Sequence, residues 1–253
     1  MLEAAGSISV GVHPQVHVLG FAVDTDIVTS TLLAAAVLLF LGFRMRSRVT
    51  DGVPGKLQLF WEVLVEQVND LADSAIGPQG RRFVPIAVTL FLFILICNWI
   101  GFIPSSLQPG ISPEILPAPT SDVNLPLAMA LFVIVWVHVE SFRARGFRGY
   151  FRHYRQPYVA LTPINVIEEI TKPITLTFRL FGNLFSGGLM VAVMVTLLPI
   201  FASPVGELIW KPFDLFIGLI QAYIFMLLTV LYFAFATSHE EAPVHDGALE
   251  ISH

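Results

Sequence analysis

Residues 175–189 read TLTFRLFGNLFSGGL, an apolar stretch with an arginine at position 179. A guanidinium stays protonated in proteins. At the centre of a membrane helix it costs about 2.5–3.5 kcal/mol on insertion scales. Between Lys172 and Glu207, Arg179 is the only charged residue. The stretch is therefore either no membrane helix, or one with a use for a permanent cation.

Composition decides between these. The 253 residues are 55% hydrophobic and 13% charged, with a mean hydropathy of +0.74. Soluble domains carry about 25% charged residues. The chain reads as an all-α integral membrane protein. A net charge of −5 gives no sign of nucleic-acid binding. The lone cysteine, Cys97, sits in an apolar run and has no internal disulfide partner. The first 26 residues lack the basic start, apolar core and cleavage site of a signal peptide, so the first apolar run is expected to remain in the chain.

Working outward from Arg179, residues 180–206 and 215–238 are uncharged, and so are 27–43, 83–104 and 123–139. Each run is long enough for a crossing, which takes about 17–25 residues. We expect one membrane domain over 1–253. Its parts are an outer segment 1–26, spans 27–47, 82–104, 123–142, 160–199 and 206–238, and a polar tail 239–253. Eleven Lys and Arg residues flank one side of these spans: Arg44, Arg46, Arg48, Lys56, Arg81, Arg82, Arg143, Arg145, Arg148, Arg152 and Arg155. The loop 105–122 and the turn 199–206 contain no Lys or Arg. This bias, together with five crossings, predicts an outer N-terminus and a cytoplasmic C-terminus.

Residues 56–76 differ. Leu57, Phe60, Leu64, Val68, Leu71 and Ala75 recur at helical spacing, with Glu62, Glu66, Asp70 and Asp73 largely on another face. Gly77-Pro78 ends the pattern. An amphipathic helix at the cytoplasmic interface is expected; a helix packed on a soluble partner is the alternative. The Pro- and Ser-rich loop 104–120 is expected to be irregular.

The last two spans are too long to stand upright. A helix from Pro163 to Leu198 is about 54 Å long and one from Glu207 to Thr237 about 46 Å, against a hydrocarbon core of about 30 Å. They must tilt, bend (Pro173 offers a place) or protrude. A turn near Pro199–Pro204 makes them an antiparallel pair. At 100° per residue, Glu168, Lys172, Thr175, Arg179, Asn183 and Ser186 form one polar ribbon, while Glu169 is rotated away. Lys211, Asp214, Gly218 and Gln221 share a face of the next helix. Facing polar stripes suggest a water-accessible route.

Blander readings exist for each. Arg179 could pair with Asp214, Lys172 and Lys211 could snorkel, and Glu168 and Glu169 could sit among headgroups. Asn183 and Gln221 could hold helices together, and Gly182, Gly187, Gly188 and Ser186 could let helices approach closely. The seven histidines show no metal-binding pattern, and no phosphate-binding glycine loop is present, so no cofactor is expected and no ATP chemistry by this chain itself.

PINVIEEITKPITLTFRLFGNLFSGGL (163–189), followed by DLFIGLIQAYIFMLLTVLYF (214–233), closely resembles subunit a of the F-type ATP synthase, the membrane stator facing the rotating c-ring. PTSDVN (119–124) is also similar, and the resemblance covers most of 20–237. It implies that Arg179 is the essential arginine beside the c-ring carboxylate, with Asn183 and Gln221 near it. It implies that Glu168 belongs to the cytoplasmic half-channel and Asp214 to the outer one. Nine residues after Arg179, some members carry Glu or His where this chain has Gly188. The implied partners are the proteolipid c-ring, b-type peripheral-stalk subunits and the rest of the F1Fo complex, with protons carried across a bacterial plasma membrane. A secondary transporter binding an anionic substrate at Arg179 is the rival reading, although no repeated halves are visible. A non-conducting scaffold is another.

Overall fold

The computed structural model describes residues 15–18, 21–50, 52–101, 117–153, 160, 162–199 and 202–237. The expected irregular loop lies mostly, and the polar tail wholly, outside them. Six helices follow a short hairpin. They are α1 (Thr25–Arg46), α2 (Lys56–Ile76), α3 (Val84–Ile100), α4 (Asn124–His153), α5 (Thr162–Leu197) and α6 (Ser203–Thr237). All but α2 belong to segments long and apolar enough to cross a membrane; a 3-10 turn, Pro78–Phe83, lengthens the one formed by α3. The chain is an all-α multi-pass membrane protein.

The hairpin was not anticipated. Strands β1 (Gln15–Val18) and β2 (Phe21–Asp24) pair antiparallel with Gln15 opposite Asp24. Val16, Val18 and Val23 are strand formers, but two four-residue strands are too short for periodicity to announce.

Helix α3 lies at the centre. It is apolar on every side, as a helix enclosed by others must be, and Ala87, Ile94 and Cys97 are fully buried. The core joins it to Leu176 and Leu180 of α5, Val133 of α4, and Phe225, Val230 and Phe233 of α6. Lipid tails are as apolar as leucine, so close packing and hydrogen bonds, rather than water exclusion, hold such helices together. Helix α1 stands at the margin, with Leu32, Leu39, Phe40 and Phe43 exposed.

Helix α2 buries Val68 and Ala72 against the bundle and leaves Glu62, Glu66 and Asp70 exposed. Phe60, counted above with its apolar face, is exposed instead. The helix ends at Gly77, whose φ of 81° only glycine adopts without strain. Arg81 then returns to Asp73 at 2.7 Å and holds that carboxyl below the usual carboxylate range.

Helix α4 breaks at Gly146, where φ 68° and ψ 168° lie in a region essentially reserved for glycine. The following turns fold back, stacking Tyr150 on Phe142 with ring centroids 3.9 Å apart. Helices α5 and α6 have 36 and 35 residues, each about 53 Å at 1.5 Å per residue, so neither stands upright in a 30 Å core. Pro173 and Pro212 sit inside them, each removing one backbone bond and giving a place to bend.

Candidate functional site

The basic and acidic ends of the helices gather at one end of the bundle. Phe83, opening α3, stacks on Phe233, near the close of α6, at 4.1 Å. Arg145 of α4 donates to the carbonyl of Phe235 at 2.6 Å. Glu140 is buried, yet it accepts from Arg143 of its own helix at 2.8 Å and meets Arg82 of the 3-10 turn at 3.3 Å, so two arginines offset its charge. Nearby, Glu169 accepts from Lys172 Nζ at 2.7 Å and faces His138 Nε2 of α4 at 3.6 Å. The other ring nitrogen of His138 lies 3.3 Å from Tyr150 Oη. Tyr232 of α6 sits under Lys172, with Nζ 5.6 Å from the ring centroid, and within electrostatic reach of Arg179, Glu169 and Glu168. Glu168 itself is exposed.

A second polar centre lies at the opposite end. Asp214 is half-buried against Gly187 of α5: a Cβ there would fall 2.5 Å from Asp214 Oδ1. Trp210, one turn earlier, donates Nε1–H to the Gly187 carbonyl at 3.3 Å. Gly187 is thus the close approach between α5 and α6. Gly218 is the close approach between α6 and α3, because its added Cβ would meet Asn98 at 3.1 Å. Asn98 donates to the Gly218 carbonyl at 2.9 Å and accepts from Thr120 at 2.7 Å, tying three segments with one buried amide. Gln221 is buried one turn further along α6.

Arg179 lies between these centres. It is seven residues beyond Lys172 and eight before Gly187, about 10 and 12 Å along the axis. The residue is exposed, with Ile174, Phe178 and Phe185 exposed around it. Among the described residues it makes no ion pair and no side-chain hydrogen bond. The internal Arg179–Asp214 pair weighed above is therefore not formed. Asn183, one turn on, has a buried Nδ2 with no partner among the described residues, while Ser186 Oγ donates to the Asn183 carbonyl at 2.8 Å. Thr175 spends its hydroxyl on the Thr171 carbonyl at 2.8 Å and contributes little to the ribbon.

Two expectations need adjusting. The α6 stripe does not face α5 along its length: Asp214 meets α5, whereas Gly218 meets α3. Gly182 and Gly188 are not close approaches among the described residues, since an added Cβ at either would meet none of them within 4 Å. Glu169, expected to be rotated away from Glu168, joins a cluster with His138 and Lys172.

The family model for the ATP synthase A chain matches residues 27–234. The chain belongs to that family. It is 46% identical over 235 residues to ATP synthase subunit a of Acidothermus cellulolyticus, covering 92% of this chain and 84% of the relative. To subunit a of Mycobacterium marinum it is 46% identical over 242 residues, covering 94% and 96%. To that of Desulforamulus reducens it is 33% identical over 229 residues, covering 88% and 84%. As an ATP synthase A chain it is a membrane subunit of the Fo sector, and the transporter reading loses its ground.

Proposed function

We propose that this A chain is the non-catalytic, proton-conducting stator that presents Arg179 to the carboxylates of a rotating proteolipid ring. One observation carries the reading: a guanidinium exposed on an apolar helix flank, with no ion pair to any acid among the described residues. A lone charge at mid-membrane depth is tolerated when a partner or water meets it. A ring carboxylate supplies that partner, and the exposed apolar side chains around Arg179 supply a surface for the ring. Gly182 and Gly188, open on this chain's side, let the ring approach.

The two polar centres then serve as half-channels. A proton enters from the outer side past Asp214, with Gln221 and Asn183 lining the way, and neutralises a ring carboxylate. The neutral carboxyl turns into lipid without a charge penalty. After nearly a full turn it meets Arg179, gives its proton to the inner centre at Glu168 and Glu169, and re-forms the ion pair. Arg179 repels protons and so blocks a direct path between the centres. The potential contributes about 2.3 kcal/mol per charge per 100 mV. The basic ends of the helices lie in the cytoplasm of a bacterial cell under this reading, with the N-terminus outside. The exposed flank of α1 is left for other membrane subunits, including the b-type stalk.

Cysteine cross-linking tests the ring-facing flank. In a background lacking Cys97, a cysteine replacing Ser186 should form a disulfide with a cysteine placed beside the ring carboxylate, and one replacing Phe40 on α1 should not. Equal yields, or none at Ser186, would contradict the proposal.

A further inference from the structure

We infer that His138 is a proton relay at the inner mouth, passing protons from Glu169 to the aqueous phase beside Tyr150; this rests on the half-channel reading above. The fold has gone to some length to bring the three groups together. His138 and Glu169 belong to different helices, and Tyr150 reaches His138 only because the chain reverses at Gly146 and stacks Tyr150 on Phe142. The result is a line of exchangeable groups: Glu169 Oε1 at 3.6 Å from Nε2, and Nδ1 at 3.3 Å from the Tyr150 hydroxyl. Imidazole is the side chain that gains and loses protons in the neutral range, and its two nitrogens can face two sides at once.

The groups around the ring are Tyr150 from α4, Glu169 and Lys172 from α5, and Tyr232 of α6 across Lys172. Lys172 bonds the other carboxylate oxygen, Oε2, and so leaves Oε1 turned toward His138. A proton carried by Glu169 on that oxygen faces the imidazole. The O–H bond of the carboxylic acid breaks and an Nε2–H bond forms, leaving carboxylate and imidazolium. The Nδ1–H bond then breaks toward water on the Tyr150 side, and a half-turn of the neutral ring restores the acceptor. The 3.6 Å gap is an ion-pair distance, closed by rotation of Glu169 or bridged by one water.

The test uses inverted membrane vesicles carrying the whole complex, whose cytoplasmic face is then open to the medium. His138→Gln keeps a hydrogen-bonding side chain but carries no proton. ATP-driven pumping should fall by about tenfold and lose part of its dependence on medium pH. That is less than the ~10²–10⁴ of a sole transfer group, because Glu168 leaves a parallel route. His138→Ala should recover pumping in proportion to imidazole added to the medium, which a merely structural histidine would not do. Tyr150→Phe, which keeps the ring stack, should shift the pH profile while assembly is retained. Unchanged rate and profile in His138→Gln, or no response of His138→Ala to imidazole, overturns the relay. Arg179→Ala in the same vesicles separates the two ideas: its pumping is lost if the half-channel reading holds, whatever His138 does.

Discussion

At the scale of single residues, the account depends on which side chains the protein leaves unsatisfied and which it does not. Asn98 has both its amide nitrogen and its amide oxygen engaged. Asn98→Leu leaves the Thr120 hydroxyl without its acceptor and strips the Gly218 carbonyl of its side-chain donor, and should lower the stability of the detergent-solubilised complex by about 1 kcal/mol, read as a lower Tm. Gly187→Ala places a methyl where the Asp214 carboxylate lies, so that carboxylate must swing aside. Pumping should drop several-fold with assembly intact, and an unchanged rate would remove this contact from the route. Asp214→Asn should abolish most proton translocation across a wide pH range. The sequence singled out Arg179, Asp214 and Glu168 as candidates because charges in apolar runs stand out. It hid Glu140, His138 and Tyr232, whose contacts come in part from other elements: Arg82, Glu169 and Lys172. Glu140 had one local sign, an arginine three residues on at Arg143.

At the scale of elements, hydropathy and length located the spans because a bilayer imposes both. The reversal in α4 was not legible: a glycine in an arginine-rich stretch is compatible with a continuing helix, and only φ at Gly146 distinguishes the two. Gly146→Ala should cost about 1–3 kcal/mol of local strain and release the Tyr150 stack on Phe142. Increased hydrogen exchange over 147–153 would register it. The staple between α2 and the 3-10 turn has a pH sense. Asp73 is held below its ordinary value by the hydrogen bond from Arg81, so its contribution is present above the unfolded carboxylate value and lost as pH falls through the lower folded one. Proteolysis after residue 77 should therefore rise only under strongly acidic conditions. The two long helices were foreseen from their residue count, but their neighbours were not. A spacing of three and four residues defines a face, and the partner of that face follows from how the helices cross, which separates Asp214 from Gly218.

At the scale of the whole molecule, two polar centres at opposite ends of the bundle flank one exposed cation. Among the described residues no side-chain hydrogen bond or ion pair joins the two centres, and Arg179 lies on the polar ribbon between them. Under the proposed function, such an arrangement conducts only when a moving partner carries the proton across the gap. On that reading, Arg179 decides between direct leakage and rotary coupling. ATP-driven proton pumping by inverted vesicles bearing Arg179→Ala in the complete complex measures this most directly. The account predicts that pumping is lost while the variant still assembles. Pumping at the normal rate, tightly coupled to ATP hydrolysis, would contradict it.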